Sequence, residues 1–457
     1  MHSSPISFFA SIFFCFASLP AGAQTNPNST ATNLFSQPLS RAEAVDIVLK
    51  QNSAILKGKT DLEANYGVVI QTRSIALPKI SATGNYTARD PASIENFGGG
   101  TNVFFQANES WTANLQISQS IYEGGRIKSA LRVAKLSKAQ AILNYQTVVA
   151  DALLAARVDY DDVLLAAQQI SVQEASVKLL TRELEDVQRR LNAGTVPRFN
   201  VLRAQVELAS ARPRLIRAKN AYRIAKNNLV NVLGYNLPRD VWENIPLQLS
   251  DKLEAAPYEI QLPAALGKAL GQRPELAALR QAENLRREEI INAQAGYKPS
   301  VQLFAGYGSQ SPRFRDDLSA GLSGWNAGAQ VSWNIFDGAL TRGRVIEAEA
   351  RHRRARIDLD DTGRNIELEV RTAYSNFIEA KEVLESQKKV QEQAEEALRL
   401  AEARMSAGTS TQLDVLNAQT ALTEARTTQV QSLHDYSVTR ARLERAIGEN
   451  LQIERAK

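Results

Sequence analysis

The sequence is poor in the residues that carry thiol and metal chemistry. Its 457 residues include one cysteine, Cys15, together with three histidines and two methionines. Because Cys15 lies in a segment that we expect to be removed, the mature chain would contain no disulfide and no reactive thiol. Beyond that segment no apolar run reaches about 18 residues, so no transmembrane helix is predicted.

The N-terminus has the pattern of an export signal. Residues 8–19 form an apolar run of the length of a signal-peptide core, and an Ala-Gly-Ala sequence at 21–23 fits a cleavage site. We therefore predict a signal peptide over residues 1–23. The segment has no lysine or arginine before the apolar run, which departs from the usual pattern. A buried apolar strand or helix is the alternative.

No pattern for catalysis, phosphate binding or metal binding is recognised. The histidines are scattered, and the acidic cluster at 358–361 lies in a helical stretch without a loop to gather ligands. The glycine triplet at 98–100 lacks the lysine of a phosphate-binding loop. The net charge of +5 is spread along the chain. We predict no enzyme activity, no cofactor, no metal site and no nucleic-acid partner.

The chain contains an internal duplication. At an offset of 214 residues, Trp111 aligns with Trp325 and the alignment continues without insertion to residue 234. Upstream the offset is 221, where Pro78 aligns with Pro299. The repeat is far longer than a solenoid unit. The offset changes between the two regions, which indicates an exposed loop that tolerates a change of length.

Each half has two stretches in which apolar and polar residues alternate, as in strands with two different faces. The apolar positions are Ile80, Ala82, Gly84, Tyr86, Trp111, Ala113, Leu115, Ile117 and Ile121, then Val301, Leu303, Ala305, Tyr307, Trp325, Ala327, Ala329, Val331, Trp333 and Ile335. In the longer stretch of each half the residues between them are Ser, Thr, Asn, Gln and Gly. We predict polar loops at 88–110 and 310–324.

Such strands are typical of an outer-membrane barrel, with lipid on one face, water on the other and aromatic residues at the interfaces. The predicted interface aromatics are Tyr86, Trp111, Tyr307, Trp325 and Trp333. A soluble antiparallel sheet with one solvent-exposed face would show the same alternation of apolar and polar residues, and it is the alternative. Four strands cannot close a barrel, and an open edge in lipid leaves backbone groups unpaired. If the strands span a membrane, the chain must therefore oligomerise.

After its strands, each half has a long helical stretch and a shorter one. In the first half we predict helices over 124–192 and 198–233, with apolar residues recurring every seven positions and a row of alanines in the second helix. A short glycine-containing connection between them forces antiparallel packing. The predicted tip turns are Gly194, Thr195, Gly408 and Thr409. Each half also has a shorter predicted helix, at 40–76 or 264–296. It could stack end to end with the second helix of its hairpin, alongside the long first helix.

These elements predict an α+β membrane protein with four transmembrane strands per chain and coiled-coil hairpins. The predicted segments are a signal peptide at 1–23, an N-terminal segment with a short helix at 24–76, strands at 77–123, a helical hairpin at 124–234, a Pro-rich linker at 235–263, a short helix at 264–296, strands at 297–337, a second hairpin at 338–448 and a tail at 449–457.

The combination resembles the TolC family of outer-membrane efflux proteins. The resemblance is carried by residues 118–125 (SQSIYEGG), 331–338 (VSWNIFDG) and 407–416 at the second tip. It implies a trimer in the outer membrane of a Gram-negative bacterium, with a twelve-stranded barrel and a periplasmic tunnel of helices. It also implies passive passage of drugs or secreted protein, with a periplasmic adaptor that contacts the tips and an inner-membrane pump.

The resemblance further implies a constriction near the tips. By position, Asp414 is its acidic residue, and the neutral Asn417 falls on the second acidic site. The polar contacts that close the tunnel fall on Asn200, Met405 and Ser410, so the usual charged and tyrosine partners are missing. Crowded carboxylates would favour cations and could raise one another's pKa. We hypothesise a gate held by weaker packing around Met405 and the tips. The alternative for Asp414 is a surface or helix-capping residue.

A periplasmic adaptor or a structural coiled-coil protein is the alternative function. Adaptors also have long helical hairpins, but one per chain, and they lack two pairs of strands edged by tryptophan and tyrosine. The duplicated strands at 77–123 and 297–337 therefore favour the channel.

Overall fold

The computed structural model describes residues 38–90, 109–236, 245–311 and 322–449. The predicted signal peptide, most of the two predicted strand loops and the last eight residues of the predicted tail lie outside this part of the chain.

The described elements follow the predicted order in both halves. In chain order they are α1 (Arg41–Gln51), α2 (Ser53–Arg73), β1 (Lys79–Ala88), β2 (Glu109–Glu123), α3 (Arg126–Asn192), α4 (Arg198–Leu233), α5 (Leu262–Gln272), α6 (Pro274–Gln294), β3 (Ser300–Ser311), β4 (Leu322–Ser332), α7 (Leu340–Ser406) and α8 (Gln412–Ile447). Short 3-10 turns, Ser74–Ala76 and Ala295–Tyr297, precede β1 and β3.

Each of the two predicted short helices is broken into two. In the first half Asn52 stands at the break, and its side-chain oxygen accepts hydrogen bonds from the N–H groups of Ala54 at 2.8 Å and Ile55 at 3.3 Å. It thereby caps α2. In the second half Arg273 stands at the break, and the following Pro274 disfavours helical backbone before it. The second pair also begins at Leu262, inside the predicted linker.

The four strands form one antiparallel sheet in the order β1-β2-β3-β4. Tyr86 lies opposite Trp111, and Tyr307 lies opposite Trp325, so four of the five predicted interface aromatics form two cross-strand pairs. The prediction that Trp333 and Ile335 belong to a strand is wrong for the single chain, because β4 ends at Ser332. As an edge of this sheet, β4 has a neighbour on one side only, and nothing holds its continuation extended.

The helices form two antiparallel hairpins, α3 with α4 and α7 with α8. The alanine row of α4 is buried, as predicted, at Ala204, Ala211, Ala218 and Ala225. Small side chains in this row let the helices approach closely. The long helices α3 and α7 have 67 residues each, which corresponds to roughly 100 Å at about 1.5 Å per residue.

The second helix of each hairpin ends against the break in the short helices of its half. Gly234 follows α4 with a φ of +82°, and a Cβ there would lie 2.3 Å from the carbonyl oxygen of Gln51. Gly448 follows α8 at the equivalent place, where a Cβ would lie 3.5 Å from backbone atoms of Gln272 and Arg273. In each half the second hairpin helix therefore ends against the junction of the two short helices. The end-to-end stacking of these helices stays a prediction.

The linker packs into the hydrophobic cores beside these junctions. Ile245, Leu247 and Leu253 are buried in the core of the first half. Tyr258 packs edge-on against Phe377 in the core of the second half, with ring centroids 5.7 Å apart. The linker therefore connects the two halves at the level where the short helices meet the hairpins.

Candidate gate at the hairpin tips

The two hairpin tips have the same backbone turn. At the first tip, residues 193–197, Gly194 has a φ of +73°, and the N–H and hydroxyl of Thr195 each donate to the carbonyl oxygen of Arg190 at 2.9 Å. At the second tip, residues 407–411, Gly408 has a φ of +74°. There the equivalent threonine donates to the carbonyl oxygen of Arg404 at 2.9 and 3.1 Å. The glycines end the long helices in the left-handed conformation.

The second tip differs from the first in how its outgoing helix begins. Thr411 is the N-cap of α8, and Asp414 completes a capping box by accepting hydrogen bonds from the Thr411 N–H at 2.9 Å and hydroxyl at 2.8 Å. The Ser410 hydroxyl donates to the same carboxylate at 2.8 Å. In the first tip the equivalent residues are Pro197 and Asn200, and no side chain caps α4. The structure therefore places Asp414 in a helix cap.

The cap keeps the Asp414 carboxylate charged. Hydrogen bonds from the backbone and side chain of Thr411, followed by the one from Ser410, lower the pKa of Asp414 below its usual value. The side chain is also exposed at the end of the hairpin. Capping and a role in a constriction are compatible, because an exposed carboxylate in a cap still contributes its charge to the space around the tip.

The other predicted gate residues lie in different surroundings. Met405 is partly buried and packs on a cluster formed by Leu398, Val415 and Leu422. Asn417 is exposed on the first turns of α8, and Asn200 is half-buried at the other tip. The structure thus brings Ser410 and Asp414 into contact, and it places Met405 in the packing of its own hairpin.

The apolar face of the sheet carries four of the five predicted interface aromatics. Trp111 and Tyr307 share a face, because Trp111 lies opposite Ser311 and Tyr307 is four residues before Ser311 in the same strand. Their partners Tyr86 and Trp325 point the same way. The fifth, Trp333, lies beyond β4 and donates its indole N–H to the carbonyl oxygen of Tyr297 at 3.1 Å.

Comparison with known proteins decides the family. The model of a family described as outer membrane efflux protein matches residues 44–235 and 265–449, which together are most of the chain. The chain belongs to the outer membrane efflux protein family. Of the described helices, none combines the length and the apolar character needed to cross a membrane.

Individual relatives of this efflux protein cover most of its length. Outer membrane protein TolC of Escherichia coli (strain K12) is 24% identical, covering 90% of this chain and 83% of that protein. The alkaline protease secretion protein AprF of Pseudomonas aeruginosa is 24% identical, covering 73% of this chain and 69% of that protein. The CmeC outer membrane channel of Campylobacter jejuni shares the fold with a TM-score of 0.78 at 16% identity, covering 90% and 86% of the two chains.

Family membership confirms the predicted resemblance, fold class and location. The protein is an outer-membrane efflux or secretion channel protein whose helices lie in the periplasm. The family is one of channels and not of enzymes. The matches favour the channel over the periplasmic adaptor that the hairpins alone left open.

One acidic residue near the tips was missed by the sequence reasoning. Glu183 lies in α3 and is partly buried, and burial, followed by the charge of Asp186, raises its pKa. Glu402 of α7 acts on it in the same direction. The available signal was the acidic stretch at 183–186, which lies close to the first predicted tip.

A buried ionic network between the two halves was also missed. Arg445 of α8 binds Asp151 of α3 at 2.7 Å and also binds Glu275 of α6. Arg273 binds Glu275 at 3.2 Å and reaches Glu369 of α7. Four helices are therefore tied together by charges at the level of the linker. The available signal was the charged pair 444–445, which directly follows Leu443 and precedes Ala446 and Ile447.

Proposed function

We propose that this protein is the trimeric exit duct of a tripartite efflux pump or a type I secretion system. Drugs or secreted protein would pass through it passively, across the periplasm and the outer membrane. The single observation that carries the proposal is an amphipathic four-stranded sheet, open at both edges, joined directly to two long helical hairpins.

The open edges support the oligomer. Strands β1 and β4 are the edges of the described sheet, and each would leave backbone N–H and C=O groups unpaired in lipid at several kcal/mol per group. Pairing β4 of one subunit with β1 of the next removes both edges. Three copies of four strands give twelve strands, and the trimer is the number that the family resemblance implies.

The two helical hairpins support the proposal of a periplasmic adaptor and an inner-membrane pump as partners. A duct with no energy source of its own needs a pump in the inner membrane, and a periplasmic adaptor would join the two. Gly194, Thr195, Gly408 and Thr409 form the two turns at the far end of the hairpins. We propose these turns as the adaptor contact. The names of the relatives include both an efflux family and a protease secretion protein, so both cargo classes remain within the proposal.

We further propose that the tips form the gate. In a trimer, the three copies of Asp414 would surround the axis and favour cations, with Asn417 as the neutral second position. Asn200, Met405 and Ser410 lie at or near the tips, and packing around Met405 would hold the gate closed. The pKa of Asp414 is lowered within one chain, which supports a charged ring at neutral pH.

The test is the ion selectivity of purified channels in planar bilayers. Asp414→Asn should lower the preference for cations. Each of the three carboxylates of a trimer, about 7 Å from an ion in water, is worth about 0.6 kcal/mol, so losing all three is worth about 1.8 kcal/mol, a roughly twentyfold effect. Thr411→Ala is the matched control, since it removes the cap of α8 and leaves the carboxylate. Asn200→Asp, at the equivalent position of the first tip, should raise the preference for cations.

The outcomes separate the parts of the proposal. Equal losses of selectivity in Asp414→Asn and Thr411→Ala would mean that the cap, and not the charge, matters. Unchanged selectivity in Asp414→Asn and Asn200→Asp would place the constriction elsewhere. A folded protein that needs no detergent and conducts no ions would contradict the channel itself.

A further inference from the structure

The fold gathers basic residues at the end of the sheet where its strands meet the helices. Because the strands are antiparallel, β1 and β3 begin at this end, and β2 and β4 end there. Within ten residues of these four strand ends, on the side of the helices, the sequence has seven lysines and arginines but only two carboxylates. Five of the seven, all with exposed side chains, are named here the basic collar: Arg73, Lys79, Lys128, Lys298 and Arg342.

The positive charge of the collar is not compensated by nearby acids. Of the two carboxylates at this level, Glu123 forms an ion pair with Arg126, and Asp337 accepts hydrogen bonds from the N–H and hydroxyl of Thr341. The seventh cation, Arg132, binds Glu288 at 3.1 Å. Within the described part of the chain, none of the five collar residues forms an ion pair. The collar is therefore a surface of net positive charge.

Exposed apolar and aromatic side chains accompany the collar. Leu77 lies two residues before Lys79 and is 61% exposed, and Tyr297 directly precedes Lys298 and is 52% exposed. Three further exposed side chains lie at the ends of β2 and β4: Tyr122, Trp333 and Phe336. Tryptophan and tyrosine are enriched where a protein leaves the hydrocarbon of a membrane, and lysine and arginine just outside it meet the charged lipid surface. This end of the sheet thus has the composition of a membrane interface.

We propose that the basic collar binds the anionic headgroups of phospholipids in the periplasmic leaflet of the outer membrane. This lipid contact rests on the proposed channel, whose strands span that membrane, and it adds a partner at a defined depth. The occupant is a lipid surface, because the collar begins where the spanning strands end. Headgroup phosphates form the layer that adjoins the hydrocarbon at this level.

The position of the collar separates it from the other proposed partners. Helix α3 extends over roughly 100 Å from Arg126 to Asn192, so the hairpin tips, which are the proposed adaptor contact, lie at the far end of the helices. The collar residues also come from all four strand ends and do not line one pocket. A distribution around the sheet matches a continuous layer of headgroups better than a single small anion.

The test compares the binding of an anionic and a net-neutral lipid by native mass spectrometry in an uncharged detergent. The probes are phosphatidylglycerol and phosphatidylethanolamine. Each lysine or arginine near an anionic membrane surface strengthens binding by about fivefold, so the wild type should prefer phosphatidylglycerol by at least about tenfold. This preference should fall as the NaCl concentration is raised, because salt screens exposed charges. The collar variant, which should lose most of the preference, combines Lys79→Gln, Lys128→Gln, Lys298→Gln and Arg342→Gln.

Two further variants separate the collar from net charge and from folding. The matched control removes four exposed cations of the hairpins that form no ion pair within the described residues: Lys178→Gln, Arg212→Gln, Lys388→Gln and Lys389→Gln. It should keep the lipid preference within about twofold, because its charges lie far beyond a Debye length from the collar. The conservative variant keeps every charge and should bind like the wild type: Lys79→Arg, Lys128→Arg, Lys298→Arg and Arg342→Lys.

The possible results separate the collar from the channel. Equal lipid preferences in the wild type and the collar variant, in samples that still conduct ions, would overturn the collar and leave the channel intact. An unchanged lipid preference together with altered ion selectivity in the collar variant would place these cations in the lumen. Competition by glycerol phosphate at the same concentration as the lipid would indicate a site for a soluble anion and overturn the lipid contact. A protein that needs no detergent and binds neither lipid would contradict both the collar and the proposed channel.

Discussion

Arg445→Met should lower the free energy of unfolding by about 1.5–3 kcal/mol, the range for hydrogen bonds to charged groups, because the arginine is buried while the side chain of Asp151 is 62% exposed. The Arg445 side chain is 7% exposed and binds Asp151 and Glu275, so it joins α8 to both α3 and α6. Its loss would leave the partly buried Glu275 carboxylate with Arg273 as its remaining cation. The measurement is urea denaturation in detergent at one protein concentration, followed by circular dichroism.

The control is Arg442→Met, which removes the same charge from a more accessible position three residues away on the same helix. We expect it to change stability by less than about 1 kcal/mol. Equal effects of the two substitutions would show that the network contributes nothing specific, and that α8 responds only to its total charge.

The effect of Arg445→Met should depend on pH in a defined direction. Burial by itself would raise the pKa of Glu275, but the hydrogen bonds from Arg273 and Arg445 outweigh it and hold the pKa at about 2. Because the pKa of Glu275 is lower in the folded state than in the unfolded state, its carboxylate stabilises the fold above pH 4.5. This stability is lost as pH falls towards 2. The difference in the free energy of unfolding between wild type and Arg445→Met should therefore be large at pH 7 and should become smaller below about pH 4. A difference that widens in acid would contradict this assignment.

Gly234→Ala should destabilise the protein by about 2–5 kcal/mol. The left-handed backbone costs a non-glycine residue about 1–2 kcal/mol, and the new Cβ would overlap the backbone of Gln51, which adds about 1–3 kcal/mol. The overlap is severe because the carbonyl oxygen lies 2.3 Å from the Cβ position. The atom belongs to the main chain between α1 and α2, so no side-chain rotation relieves it.

The duplication supplies the control for this substitution. Gly448 has a φ of +87°, and a Cβ there would meet its nearest atoms at 3.5 Å, an ordinary contact. Gly448→Ala should therefore lose about 1–2 kcal/mol through the backbone alone. Thermal unfolding in detergent, read by circular dichroism, would rank the two variants. A larger loss for Gly448→Ala would contradict the close contact at the end of α4.

Much of the architecture followed from periodicity. Alternation with a period of two predicted the four strands, and heptads predicted hairpins whose helices begin and end within two residues of the predicted bounds at 124–192 and 198–233. These patterns are local, because the faces of a strand or helix are set by the positions of side chains along one element. The offsets of 221 and 214 then carried these inferences from one half to the other.

Features that depend on contacts between distant residues were not predictable in the same way. The breaks at Asn52 and Arg273 have local causes, an N-capping asparagine and the proline at 274, but the contact of each break with the end of a hairpin helix joins residues that are distant in the chain. Helix capping was predicted as an alternative role for Asp414. Only the backbone path from Thr411 shows that the carboxylate forms a capping box at the start of α8. From the sequence alone, Glu183 and Arg445 could not be distinguished from surface charges, because the helices that bury them are distant in the chain.

By itself, the sequence determined that this protein is a duplicated pair of amphipathic strands and antiparallel hairpins, because hydrophobic period and turn chemistry act over a few residues. The tertiary structure decided where charges are buried and where the short helices break. It also decided which strand edges remain open, because these properties arise only when residues hundreds of positions apart are brought into contact.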